Sequence, residues 1–562
     1  MQGVGVKSIT GLLYSQIGYD LGNPMRAILR NTARDGVPPA AVFKVLEIDS
    51  AHCAYQGQVE YWGETWGSHW WVMDFSALNF PGTYRLIVSD AGQELYASDA
   101  FKVERNLLWR ETIRLVALDQ MEERARQARG QRGWKDCGSW LREVNSHASA
   151  LIGLCDLLEY GYSWLEPTDV ERLTRQIIHG CQYLADCQDK AESLGFGRGA
   201  MVHEIPTALR VLPNDVMQSM VALAHASRLL SETHPEKSAE YLGRAENGYK
   251  WLQTAKPLEE GFSAFAHGAP PGFVKPAEWM TRDLLLLAWG ALELFLAGRA
   301  AYREDAVAFA RQVLQRQVPK EKAEGEFYGH FYTFASSDFT EKAWVHHHVG
   351  HDTGATFPHY LIPLIEMCRL FPEHPEAASW RQAIYNFTTG YFLPACSRNP
   401  FYLLPAGYFS GEGLLSFGGL WHGINAAYAW AAALAIELES FLGERSLRQA
   451  ATGNLQWLAG LNAGITADSL AGSLKFRADI PEGKAEPYSM IYGIGRRFAG
   501  SWSPIPGSIC NGFDIDEQFQ FNVPPSADVD GPHMFTDEDW ITGVGGWSSA
   551  LARLCVATYF FG

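Results

Sequence analysis

A chain of 562 residues is long for a single compact domain and reads as two, one of them large. With 47% hydrophobic and 19% charged residues it has the composition of a water-soluble globular protein, and no stretch approaches the roughly 20 apolar residues that cross a bilayer, so no membrane partner is expected. Its 46 basic and 63 acidic side chains leave a formal charge of -17, which repels phosphate backbones and anionic lipid and excludes nucleic acid as an expected partner.

The chain opens on MQGVGVKSIT, which holds no apolar run of the length an export signal needs; a cytoplasmic location is favoured over a secreted one whose leader has been removed. From residue 11 to about 103, short runs alternate apolar and polar side chains between turn signals: RAILR, AVFKVLEI, AYQGQVEYW, HWWVMDF and GTYRLIV. This period of two predicts a small antiparallel β-sandwich. FPGTYRLIV sets a Pro-Gly turn directly before a strand that carries Tyr84, Leu86 and Val88 on one face. Trp62, Trp66, Trp70 and Trp71 fall in the same alternating texture, which makes them core and domain-interface residues ahead of a sugar-stacking surface.

From LLWRETIRLVALDQMEERARQ onward the period becomes helical, so the boundary is set near residue 104, with one domain over 1–104 and a second over 105–562. About a dozen amphipathic segments follow, among them HASALIGLCDLLEYGY, RDLLLLAWGALELFLAG, NAAYAWAAALAIELESFLG and WSSALARLCVATYFFG; in antiparallel pairs they would close into a double ring. Loops rich in Gly, Pro, His and Trp interrupt them near 195–215, 260–281, 324–358, 396–420 and 465–540, spaced so as to converge on one end of a barrel. Loops of that length in a compact domain are usually functional. Nine cysteines at irregular spacing, with no CxxC pair, point to neither a zinc site nor a disulfide framework.

YSQIGYD, DFSALNFPGTYRLIV and GWKDCGS, followed by a helical barrel, resemble the family 9 glycoside hydrolases, the cellulase family. FGGLWHGINAAYAWAAALAIELESFLGERSLRQAATGNLQWLAGLNAG and SPIPGSICNG extend the resemblance over nearly the whole chain. It implies a multidomain fold: an N-terminal immunoglobulin-like β-sandwich followed by an all-α (α/α)6 barrel. It also implies an O-glycosyl hydrolase acting without a cofactor on β-linked glucan or a related oligosaccharide.

The same resemblance exposes a gap. Family members carry Asp-Ala-Gly-Asp, the second Asp deprotonating the water that attacks the anomeric carbon and the first helping to position it. Here the run reads Asp136, Cys137, Gly138, Ser139. A neutral hydroxyl accepts no proton at pH 7 without an added base. The family's general acid lies in Asn-Glu-Val before the last helix, where DEDWITGVGGWSSALARL has Thr542 or Gly543. The expectation is a rebuilt pair: Asp136 as an ionised base, and Glu538 or Asp539 as a desolvated, protonated acid. Glu143 is read as structural ahead of catalytic. Sugar binding is expected from Trp134, Arg142 and His147 in the first loop, and from Trp279, His347, His348, Trp421 and Tyr492 in the later ones. His203, Glu204, Arg282, Asp283 and His422 fall in loops expected at the same end.

Two other readings stand beside hydrolysis. Arg142, Asn145, His147, Tyr492, Arg496 and Arg497 are the residue types of a polysaccharide lyase, which the negative charge disfavours for a long anionic substrate; a binding relative without catalysis is the third. In WVHHHVGHDTG, His347 with His351 and His348 with Asp352 share i, i+4 spacing, so a divalent metal is conceivable. A sugar-lining role is preferred there, because neutral imidazoles hydrogen-bond hydroxyl groups well.

Overall fold

The computed structural model describes residues 8–128, 132–138, 141–257, 276–323, 327–340, 359–405, 407–409, 413–417, 425–472, 477–496, 503–514 and 534–561. The first strands are β1 (Thr10–Leu13), β2 (Tyr19–Asp20), β3 (Arg26–Asn31), β4 (Val42–Glu47), β5 (Cys53–Gln58), β6 (Glu60–Thr65), β7 (Ser68–Asp74), β8 (Gly82–Asp90), β9 (Gln93–Ala97) and β10 (Phe101–Glu104). They form two sheets, ordered β1-β3-β7-β6 and β2-β10-β8-β4-β5, with β9 paired to β8. All pairs are antiparallel except β2 with β10.

The alternation seen in the sequence has two destinations in the first sheet. Leu12, Ala27, Leu29, Trp71 and Met73 point into the sandwich core, whereas their neighbours Leu13, Ile28 and Trp70 join the core of the helical domain. Both faces of this sheet are therefore buried, and the sandwich is fixed to the barrel by the hydrophobic effect along its length. Trp66 stacks on Phe401 at 5.9 Å and donates to Ser416 Oγ at 3.1 Å. Arg30 reaches across to the Ala463 carbonyl at 3.0 Å, and Arg26 to that of Pro400 at 3.2 Å. The tryptophans of this domain are core and interface residues.

The helices are α1 (Leu107–Arg114), continued through a π-turn into α2 (Gln120–Gln127), then α3 (Val144–Tyr160), α4 (Pro167–Ser193), α5 (Pro213–Leu230), α6 (Pro235–Leu252), α7 (Thr281–Leu296), α8 (Arg303–Leu314), α9 (Ile362–Leu370), α10 (Ala377–Phe387), the short α11 (Leu393–Cys396), α12 (Asn425–Leu442), α13 (Ser446–Ala459) and α14 (Thr542–Phe561). Helices α3, α5, α7, α9, α12 and α14 touch in that order, and α14 returns to α3, closing an inner ring; α4, α6, α8, α10 and α13 pack outside their inner partners, with α1 against α14. This is an (α/α)6 barrel. Inner helices are buried nearly all round, as α3 and α12 show, and the outer ones are amphipathic. Closure depends on small residues where α3 meets α14: a methyl added at Gly153 would lie 2.1 Å from the Gly545 carbonyl oxygen.

Because the inner helices run parallel, their N-termini, and the long loops that feed them, all gather at one end. Among the described residues four two-stranded pairings lie in these loops: β11 (Val202–Glu204) with β12 (Ala208–Val211), β13 (Tyr332–Phe334) with β14 (Ser337–Thr340), β15 (Gly407–Phe409) with β16 (Gly413–Leu415), and β17 (Cys510–Asp514) with β18 (Met534–Asp539). The opposite end is tied by ion pairs, those of Arg553 buried. Arg553 of α14 bonds Asp156 of α3 and Glu437 of α12, and Arg369 of α9 bonds Glu437 at 2.7 Å. Among the described residues no helix is long and apolar enough to cross a membrane.

Candidate active site

Asp136 lies in the loop entering α3, at the N-terminal end of the inner ring. The loop closes on itself, Asp136 N–H donating to the Leu141 carbonyl at 2.9 Å, so that Asp136 is brought back beside the first turn of the helix. Its own carbonyl accepts from Arg124 at 2.8 Å and from Ile541 N–H at 3.2 Å, just before α14. Arg124, fully buried, also forms an ion pair with Asp539 of β18. One guanidinium thus joins the two ends of the sequence that supply acid-base candidates.

β18 sorts the DED cluster by strand alternation. Asp537 and Asp539 are buried, Asp539 on Arg124, whereas Glu538 on the other face is half-buried. Burial, reinforced by Asp539, Glu143 and Asp537, pushes Glu538 up to about 8. At neutral pH that carboxyl carries its proton. Asp136 is 0% exposed, and burial, followed by the charge of Glu143, raises it well above the ordinary carboxylate range against the pull of Ser146 and Arg124. The opposite environments expected for the two carboxyls are therefore not found: both are raised, because the loop carrying Asp136 is packed inside the barrel end instead of lying open to water.

Around this pair the inner helices supply further charged groups. Glu143 is the N-cap residue of α3, with Oε1 3.7 Å from His203 Nε2; His203 Nδ1 is 2.8 Å from Asp215 Oδ2 in the first turn of α5. Burial pulls His203 down, but Asp215 and Glu143 outweigh it and raise it to about 10, so it is an imidazolium at neutral pH. The position of the acidic groups at helix N-termini agrees with the helix macrodipole. Asn214 donates to Asp283 at 3.0 Å, linking α5 to the start of α7.

Trp134 and His147 were expected to bind sugar, yet both are 0% exposed. His147 Nε2 accepts from Trp134 N–H at 2.8 Å, its Nδ1–H donates to the Glu143 carbonyl at 2.7 Å, and the Trp134 indole donates to Gln176 at 2.9 Å. With both ring nitrogens used and its protonation depressed to about 3 by burial, His147 holds the loop in place. Arg142 is also buried, its N–H on Glu204 at 2.9 Å and its guanidinium on the carbonyls of Arg132 and Ile205. Trp279 is half-buried against the barrel core, its carbonyl held by Arg316 at 2.7 Å. Tyr492 is half-buried, its backbone paired with Ser508 and Gly507, and Arg496 is paired with Glu486. His347, His348, Trp421, Ser139 and the remainder of the 346–352 histidine cluster lie outside the described residues.

Among the described residues one group of potential metal ligands, Asp156, Glu159 and His225, lies within 4.8 Å at the far end of the barrel. Arg228 grips Glu159 at 2.7 and 2.9 Å and Arg553 holds Asp156 at 3.1 Å, so guanidinium groups already neutralise these carboxylates.

Comparison with known proteins agrees with this architecture. The model of the cellulase N-terminal ig-like domain matches residues 13–93, and that of glycosyl hydrolase family 9 matches residues 97–466. Among curated proteins no sequence matches the chain. A metagenome-derived glycoside hydrolase family 9 endoglucanase is similar in fold, with a TM-score of 0.64 at 16% identity, covering 97% of this chain and 98% of that one. A family 9 protein of Bacteroides ovatus superposes at 0.62 with 15% identity over 97% and 98% of the two chains. The endoglucanase of Alicyclobacillus acidocaldarius, as its D468A mutant, gives 0.61 with 16% identity over 97% and 99%. With the family model spanning most of the barrel and the cellulase-type domain model lying directly before it, the chain belongs to glycosyl hydrolase family 9, a family of O-glycosyl hydrolases.

Proposed function

We propose that the chain hydrolyses β-linked glucan or a related oligosaccharide at the N-terminal end of the inner ring, with Glu538 as proton donor and Asp136 as proton acceptor. The observation that carries this reading is the meeting of two segments from opposite ends of the sequence at one barrel end, where Arg124 bonds the Asp136 main-chain carbonyl and the Asp539 carboxylate, with the neighbouring Glu538 held protonated at neutral pH. Endoglucanase, the activity named for structures of similar fold, supports a β-glucan substrate. In the reaction Glu538 gives its proton to the leaving glycosidic oxygen as the bond to the anomeric carbon breaks. Water forms the new bond to that carbon, and its proton passes to Asp136. Asp539 keeps its ion pair with Arg124 and serves as scaffold for Glu538. Incubation with a panel of β-glucans, chitosan oligomers and aryl β-glycosides tests the reading. New reducing ends are the expected result; none from any substrate refutes it, and an unsaturated uronate released from an anionic polysaccharide selects a lyase instead.

A further inference from the structure

The end of the β17–β18 pair next to Glu538 is gripped on both strands. On β18 the Asp539 carboxylate is held by Arg124, and across the ladder Cys510 of β17 lies opposite Asp539. The Cys510 carbonyl accepts from the side-chain amide of Asn425, the first residue of α12, at 2.8 Å. The oxygen of that amide accepts from the Trp457 indole of α13 at 3.2 Å. Asn425 and Trp457 are both 0% exposed. The Trp457 ring is held in turn by edge-on packing on Phe401 at 5.0 Å, Phe513 of β17 at 5.6 Å and Trp66 of the sandwich at 6.4 Å. The ladder bulges between Cys510 and Gly512, and a methyl added at Gly512 would lie 2.6 Å from Asn425 Nδ2. With φ at +95°, this glycine lets the strand come in against the amide.

Resting on the hydrolytic reading above, we propose that Asn425 and Trp457 are positioning residues for the proton donor: their hydrogen-bonded pair anchors β17 at Cys510 and so sets where Glu538, next to the opposing Asp539, presents its carboxyl. An indole only donates, so the amide oxygen faces Trp457 and the amide nitrogen is left to donate to the Cys510 carbonyl; the partners fix which way Asn425 points. Arg124 alone would hold the pair at one side chain of β18. The second bond, on the other strand, stops the ladder from swinging about that ion pair. It also ties the strand to two packed helices of the barrel wall, a firmer support than another loop. Transfer of a proton to the leaving oxygen needs the donor within hydrogen-bond reach, and a misplacement of about 1 Å can cost about 100-fold. Both residues act through Glu538, so their loss weakens the step that uses the donor and spares a reaction that does not.

The test compares two substrates on the full chain. Cleavage of cellotetraose needs the donor, whereas 2,4-dinitrophenyl β-cellobioside has a leaving group that departs without a proton. Trp457→Phe keeps a packed ring and loses the indole N–H; Asn425→Ala loses both bonds. Each is expected to lower kcat on cellotetraose about tenfold or more with KM little changed, while the dinitrophenyl glycoside is cleaved within about twofold of the parent rate. Combining Asn425→Ala with Glu538→Gln should give the cellotetraose rate of Glu538→Gln alone, because a donor that has been removed cannot be misplaced. Both substrates slowed in equal proportion, no loss on cellotetraose, or a further loss in the double variant overturns the proposal while leaving the hydrolytic reading intact. Should Asn425→Ala fail to fold, Trp457→Phe, alone and combined with Glu538→Gln, decides. A parent chain that cleaves neither substrate overturns both.

Discussion

Replacing Glu538 by glutamine removes a proton without removing volume, and the structure gives the size of the effect. At an ordinary carboxylate value near 4.5, about one Glu side chain in 300 is protonated at pH 7; at the value of about 8 set by burial and by Asp539, Glu143 and Asp537, about nine in ten are. The site thus keeps its donor loaded roughly 300-fold more often than an exposed carboxyl. Loss of a general acid typically costs 100-fold or more, so hydrolysis of an unactivated cello-oligosaccharide should fall by at least about that factor in Glu538→Gln, while a dinitrophenyl glycoside is spared. Stability should move the other way. A carboxyl raised from 4.5 to about 8 by folding contributes stability that is complete below pH 4.5 and is lost as pH rises through 8. The glutamine variant, which cannot ionise, should therefore gain in Tm over the parent as pH rises from 5 to 8. Equal oligosaccharide hydrolysis in parent and variant, or a Tm difference that does not change with pH, would refute the reasoning.

The pH dependence of kcat/KM on an unactivated oligosaccharide should be a narrow bell, its alkaline limb near 8 from Glu538 and its acid limb well above the usual carboxylate range from Asp136. Arg124→Met takes from Asp539 its buried guanidinium partner and removes the bonds that Arg124 gives to the carbonyls of Lys135 and Asp136; urea unfolding should show a loss of about 3–5 kcal/mol, largely recovered in the Arg124→Met, Asp539→Leu double variant. Gly153→Ala puts a methyl against the Gly545 backbone and should cost about 1–3 kcal/mol by forcing α3 from α14, measurable as a lowered Tm.

The architecture was legible because each layer of it writes a period into the sequence. Alternation in RAILR and HWWVMDF marks β3 and β7, and the change to helical spacing after LLWRETIRLV marks the start of the barrel. The loops expected at one end do feed the N-termini of the inner helices. The candidate site was legible only in part, and its chemistry stands as a proposal. Asp136 and the DED cluster are singled out as candidates by their places before α3 and α14, but period alone does not say which way a loop side chain turns. Trp134 and His147 sit beside the motif and look like binding residues; Val144, His147, Ala148 and Leu151 at helical spacing were the available sign that His147 faces the core. The Arg124–Asp539 pair spans 415 residues and the Arg142–Glu204 contact 62, separations over which a single sequence carries no pairing signal. Glu143 was read as structural, and the His203–Asp215 couple behind it became visible only once β11 and α5 were placed beside α3.

A structure of the chain with a thio-linked cello-oligosaccharide, which occupies the site without being cleaved, tests the central claim most directly. The ligand is expected across the N-terminal end of the inner ring, the bridging sulfur beside the Glu538 carboxyl and Asp136 on the opposite face of the sugar, the two carboxyls about 6.5 to 9.5 Å apart with a water between the sugar and Asp136. A ligand seated elsewhere, or bound there with neither Glu538 nor Asp136 near the scissile linkage, would contradict it.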